Sequence, residues 1–320
     1  MEATGDAVAS NENGAANSQR RKRRGLILVT MAYLSALAAA WATLALVPVL
    51  SIESLLYSTL AANLVATFVI FGWSVAHDNS SFYDPYWSLG PIAIFLYWMN
   101  VTPTGAPTLR TWAVFGVIVA WGMRLTFNWA RGWSGLDHED WRYVNFREMS
   151  PRFYWAISLG GIHLFPTLIV FAGLAAAFPA FLNSGHEPGW IDLLALGIGL
   201  MGVWFEWQAD RQLRAFVRSD KKSGAILRSG LWRYSRHPNY LGEILIWWSL
   251  FLFGLSADPA WAAWAIGAPL SMTAMFLFAS IPMLEKRSLE RRPGYQRVID
   301  ETSILIPLPP RVSKTDSERR

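Results

Sequence analysis

Eight apolar runs, at about residues 26–50, 55–76, 87–101, 110–130, 153–182, 190–209, 240–255 and 261–284, constrain this chain more than any other feature. Most approach the roughly 20 residues that a helix needs to cross about 30 Å of hydrocarbon. Hydrocarbon offers the backbone no hydrogen-bond partner, so each run must satisfy its own N–H and C=O groups as a helix. The sequence therefore predicts an all-α polytopic membrane bundle of seven or eight helices, with a polar cavity opening to the inner side. The third run is short and contains Gly90-Pro91, which makes it the weakest span. Composition agrees: 53% of residues are hydrophobic, 16% are charged, and the 18 Trp suit rings seated at lipid headgroups.

Charge sets the expected topology. With eight crossings, 26 of the 28 Lys and Arg fall in residues 20–24, 131–152, 210–238 and 285–320, all on one side. That asymmetry predicts a multi-pass protein with both termini cytosolic. Its basic residues lie between apolar runs rather than in one patch, so the formal charge of +5 argues for membrane topology and against nucleic acid. With no Cys, disulfides and thiolate metal sites are excluded. Residues 1–24 read as a disordered tail ending in Arg20-Arg21-Lys22-Arg23-Arg24, residues 25–307 as one transmembrane domain, and residues 308–320 as a second disordered tail. The first apolar run is too long for the core of a cleaved signal peptide.

The densest chemistry lies in Gly230-Leu231-Trp232-Arg233-Tyr234-Ser235-Arg236-His237-Pro238-Asn239-Tyr240-Leu241-Gly242-Glu243. Pro238 suits a first helical turn, because its fixed φ is already helical and its missing N–H needs no partner there. The positive end of that helix, beside Arg233, Arg236 and His237, makes a place for phosphate at the membrane edge. Asn239 and Glu243, four apart, share a helix face, with Tyr240 beside them.

This string closely resembles the C-terminal signature of the steroid 5-alpha-reductase-like membrane proteins, over roughly residues 204–307. A shorter form, Arg-His-Pro-x-Tyr-x-Gly, also occurs in the isoprenylcysteine carboxyl methyltransferases. The resemblance implies a membrane-embedded, NADPH-dependent oxidoreductase that reduces a lipid or steroid-like double bond. An S-adenosylmethionine-dependent membrane methyltransferase is the alternative, opposed by the Asn-Tyr-x-Gly-Glu continuation. It further implies cofactor contacts at Asp210, Arg214, Arg233, Arg236, His237, Asn239, Tyr240, Glu285, Arg287 and Tyr295. Glu243, Tyr240 and Tyr83 are the catalytic candidates. The expected partners are a hydrophobic small molecule or lipid as substrate and the membrane lipids themselves.

His77-Asp78-Asn79-Ser80-Ser81-Phe82-Tyr83-Asp84-Pro85-Tyr86-Trp87 reads as an interfacial turn or as a cavity mouth. Asp137-His138-Glu139-Asp140 gathers four ionisable groups, but consecutive residues point in different directions, so no metal site is expected. Gly197-x-Gly199-x-x-Gly202 matches a dinucleotide fingerprint inside an apolar helix, where small residues instead let helices approach closely. Glu206, Asp210 and Arg214 form one polar stripe on that helix, and Arg218, Lys221, Lys222 and Arg228 follow it. Arg124 lies within a span, where it either snorkels to the interface or meets a ligand.

Overall fold

The structure, a computed structural model, describes residues 2–47, 51–101, 107–182, 187–219 and 224–311, with side chains from residue 17 onward except at residue 52. Its helices are α1 (Glu2–Leu46), α2 (Ile52–Ala76), α3 (Tyr86–Val101), α4 (Leu109–Gly132), α5 (Trp141–Met149), α6 (Tyr154–Ile157), α7 (Phe165–Ala176), α8 (Trp190–Arg218), α9 (Pro238–Ala257), α10 (Pro259–Ala265), α11 (Gly267–Met275), α12 (Ile281–Arg291) and α13 (Tyr295–Glu301). Two π-helical turns, Ser158–Leu164 and Phe276–Ser280, join α6 to α7 and α11 to α12. Among the described residues there is no strand, only an isolated bridge between Ser235 and Ser303.

Seven helical stretches among the described residues are long and apolar enough to cross a bilayer: Asn17–Leu46, Glu53–Ala76, Leu109–Gly132, Pro151–Ala176, Trp190–Arg218, Pro238–Ala257 and Pro259–Arg291. The chain is a multi-pass, all-α membrane protein. The eighth expected span, α3, has 16 residues with Pro91 inside it, about 24 Å at 1.5 Å per residue and short of the hydrocarbon thickness. At the N-terminus the expected disordered tail is instead helical from Glu2, continuous with the first span. Residues 2–24 include five Ala, the strongest helix former, and extending an existing helix avoids the cost of nucleating one. At the other end, Leu308 N–H donates to the Tyr234 carbonyl at 3.1 Å and Arg311 N–H to the Glu301 carbonyl at 2.8 Å. Residues 308–311 are thus tied down rather than loose, and 312–320 lie outside the described residues.

The chain divides into two compact units: Met1–Phe95 with Gly122–Phe171, and Leu96–Trp121 with Ala172–Arg320. In the first, α1 places Val29, Ala32 and Ala36 on one face by their three- and four-residue spacing, and packs against Ala66 and Ile70 of α2. Phe82, Tyr83, Tyr86, Trp133, Tyr143 and Ile162 complete that core. Gly25 lies flat on the Trp133 ring, where an added Cβ would come within 2.7 Å of the ring edge.

In the second unit α8 and α9 form the main pair. A Cβ on Gly199 would meet Ser249 Oγ at 2.6 Å, and one on Gly202 would meet the Gly242 carbonyl oxygen at 2.8 Å. Two of the three fingerprint-like glycines, Gly199 and Gly202, therefore serve helix packing. On its other faces α9 packs Phe251 against Ala176, Ala262, Ala265 and Ala268. Arg110 lies in the first turn of α4. It is buried, with Nε 2.6 Å from Asp192 Oδ1, and Asp192 also accepts from Ser256 Oγ at 2.7 Å.

Candidate functional site

The fourteen-residue string in the second unit forms a short 3₁₀ turn, Gly230–Arg233, followed by the start of α9. Gly230 sits at φ +61, a left-handed conformation that suits a residue without Cβ, and it packs against the Gln212 side chain. Gln212 Oε1 accepts from Leu231 N–H at 2.9 Å, and Trp232 Nε1 donates to the Ala209 carbonyl at 3.1 Å. The end of α8 thereby sets where the loop begins.

From the C-terminal side a strap closes over the loop. Arg236 N–H donates to the Ser303 carbonyl at 2.8 Å. Its Nη1 donates to the carbonyls of Ile299 at 2.6 Å and Thr302 at 3.1 Å. Its Nε lies 2.7 Å from Glu285 Oε1, and the same oxygen is 2.9 Å from His237 Nε2. Arg236 and His237 converge on one of the chain's own carboxylates. The strap has a second ion cluster, in which Glu301 accepts from Arg297 Nε at 2.6 Å and also from Arg228. These two guanidiniums, Arg297 foremost, hold the Glu301 carboxyl below its usual range.

Around the start of α9, His237 stacks on Tyr240 with ring centroids 5.7 Å apart, and Tyr240 meets Phe276 at 4.7 Å. No side chain caps α9, and Pro238 stands in its first turn. The Asn239 side chain is half-buried and hydrogen-bonds to nothing among the described residues. Arg233 is exposed, its guanidinium 5.8 Å from the Tyr234 ring. Tyr295 is buried, and burial, with Glu285 nearby, pushes its hydroxyl up to about 12. Asp210 and Arg214 are half-buried on α8, and Arg287 is half-buried on α12. Lys221 and Lys222 lie outside the described residues.

One helical turn deeper, Glu243 is 5% exposed. Trp121 Nε1 donates to its Oε2 at 2.9 Å and Trp247 Nε1 to its Oε1 at 3.1 Å. Two indole donors on one carboxylate compensate the cost of burying it. Trp247 could have been read from its position four residues after Glu243, on the same helix face. Trp121, 122 positions earlier, left no such mark.

The third catalytic candidate, Tyr83, belongs to the first unit, where its hydroxyl is 2.8 Å from Thr167 Oγ1 and burial pushes it well above its ordinary value. Its neighbour Asp84 accepts from Tyr143 OH at 2.7 Å, and burial pushes that carboxyl up to about 7 against the opposing effect of Tyr143. The acidic run disperses: Asp137 pairs with Arg21, Asp140 caps α5, and Glu139 accepts from Ser80 N–H at 2.6 Å. Among the described residues no three His, Cys, Asp or Glu converge on a metal position. The sequence did not single out His163, fully buried on the π-helical turn beside Ser158 and Ser74.

Beside this loop, among the described residues, the donors that the fold leaves open are the first turn of α9, which no side chain caps, the Asn239 amide and the exposed Arg233.

Comparison with known proteins gives the family and leaves its activity open. An uncharacterised protein of Schizosaccharomyces pombe is 29% identical, over 75% of this chain and 76% of its own length. No solved structure matches the chain. The model of the family described as proteins of unknown function, DUF1295, matches residues 70–302, which take in both polar clusters, and the chain belongs to that family.

Proposed function

We propose that this protein is a membrane-embedded, NADPH-dependent reductase of a lipid or steroid-like double bond, of the steroid 5-alpha-reductase-like kind. The observation that carries the reading is the state of the signature residues. The loop from Gly230 is locked from below by Gln212, Ala209, Glu285 and the strap, while the α9 start and the Asn239 amide keep open donor capacity. A loop held this firmly, with its remaining donors together, suits a ligand carrying phosphate and amide groups.

Bound NADPH would supply a hydride to the β-carbon of a conjugated double bond. The chain's own part is positioning and charge placement. Asn239, Arg233 and the first turn of α9 bind the cofactor, with Asp210, Arg214, Arg287 and Tyr295 around them. Arg236, His237 and Glu285 keep that turn in place. Tyr240, between His237 and Phe276, and Glu243, oriented by two indoles, face the substrate side of this assignment. Tyr83 keeps its hydroxyl on Thr167 and is not needed. Both termini would be cytosolic, since the basic connections then share one side.

Thermal unfolding of the detergent-purified protein with NADPH, NADH or S-adenosylmethionine tests the reading. A ligand at 100 times its Kd adds about 2.7 kcal/mol, which raises Tm by several degrees. The expected result is a rise with NADPH that shrinks in Asn239→Ala and Arg233→Ala. A rise with S-adenosylmethionine alone would transfer the protein to the methyltransferase class, and no rise with any of them would overturn the reductase reading.

A further inference from the structure

The first unit holds a string of buried polar groups that the reductase assignment leaves unused. It begins at Glu139, whose Oε1 accepts from Tyr154 OH at 3.1 Å. Ser80 Oγ lies 2.7 Å from Tyr154 OH and 2.9 Å from Ser158 Oγ. Ser158 Oγ is 3.4 Å from His163 Nδ1, and the Ser158 carbonyl is nearer to that nitrogen, at 2.9 Å. On the far side of the ring, His163 Nε2 is 3.1 Å from Ser74 Oγ.

The two ends of the string differ in kind. Ser74, Ser80, Ser158 and His163 are all 0% exposed. At the other end Arg147 reaches both Glu139, at 3.4 Å, and Asp78, at 2.7 Å, and the Asp78 side chain is 76% exposed. The string therefore runs from water to a histidine sealed in the core. Its charged or titratable neighbours are Asp78, Glu139 and Arg147 at the wet end, with Tyr83 against the ring at 4.9 Å.

The surroundings of His163 accept either protonation state. In the neutral ring that accepts a proton, Nε2–H donates to Ser74 Oγ, which turns its own hydrogen to the Ile70 carbonyl, 3.1 Å away, and the Ser158 hydroxyl donates to Nδ1. In the charged ring Nε2–H keeps that bond and the new Nδ1–H donates to the Ser158 carbonyl. No heavy atom has to move between the two. A histidine kept merely for packing needs no such pair of arrangements. His163 also sits on a seven-residue π-helical turn containing Gly160-Gly161, an insertion common at functional positions.

We propose that Glu139, Tyr154, Ser80, Ser158 and His163 form a proton relay between solvent and the buried imidazole. On inward transfer the protonated Glu139 carboxyl gives its proton to the Tyr154 oxygen. Tyr154 passes its own proton to Ser80, Ser80 to Ser158, and Ser158 to Nδ1 of the ring protonated on Nε2. Each O–H bond that breaks is matched by an O–H or N–H bond that forms, and no group is oxidised or reduced. Water at the Asp78 end replaces the proton on Glu139. The relay does not rest on the reductase reading.

The test follows the His163 ring directly in the full-length protein. Among the five histidines, its ¹⁵N signals are assigned by their loss in His163→Gln, and exchange of the ring proton with solvent is measured by NMR in detergent. The expected result is rapid exchange in the wild type despite complete burial, slowed at least tenfold in Tyr154→Phe and Ser158→Ala, and restored in Ser158→Thr. The Tm of each variant, within a few degrees of wild type, shows that the fold is kept. Slow exchange in the wild type, or equal exchange in every folded variant, would overturn the relay. Loss of NADPH binding leaves this result untouched, so the two readings fail separately.

Discussion

At the level of single residues, the chain satisfies much of its polar chemistry internally. Arg236 and His237 share Glu285, Glu243 takes two indoles, and Arg110 takes Asp192. Residue types alone showed that these side chains were unusual in an apolar chain. They could not show their partners, which lie 48 to 122 positions away apart from Trp247. Asp84 offers a measurable consequence. Its carboxyl ordinarily titrates near 3.8 and here near 7, because burial disfavours the charged form. Between those values the folded chain retains a proton that the unfolded chain has released, so stability falls as pH rises from about 4 to about 7 and then levels off. The thermal midpoint should fall by several degrees across that window, and Asp84→Asn should flatten the slope. An unchanged slope would place the dependence elsewhere.

At the level of elements, glycines on one helix play opposite parts. Gly197 has nothing within 4 Å of an added Cβ, whereas Gly199 meets Ser249 and Val117 within 2.9 Å. Gly197→Ala should leave stability unchanged or raise it by up to about 1 kcal/mol, through helix propensity. Gly199→Ala should lower it by about 1–3 kcal/mol, because the close approach to α9 and α4 cannot absorb a methyl group. Unfolding in detergent at fixed pH distinguishes the two, and equal effects would refute close packing at Gly199. The apolar runs and the small-residue role of this glycine motif were legible in the sequence, since both are local patterns. The π-helical turns were not, because a one-residue insertion scarcely changes helical periodicity. Nor was the strap, whose bonds join segments more than 60 residues apart.

For the whole molecule, sidedness turns on α3. At 16 residues it is short for a span, yet the basic connections gather on one side only if the chain crosses there. The chain has no cysteine, so single cysteines report position cleanly. His77→Cys and Leu109→Cys, at exposed positions flanking α3, should react with a membrane-impermeant maleimide from opposite faces of a sealed vesicle. Labelling of both from the same face would leave seven crossings and divide the termini between compartments. The strap also bears on how the protein is made. The carbonyls that hold Arg236 come from Ile299 and Thr302, so the loop has only its anchors on α8 until the ribosome has synthesised a further 66 residues. A nascent chain cut short before that point would enter the bilayer with its helices in place and its most polar loop unfastened, a lesion that a membrane protease could recognise from one end.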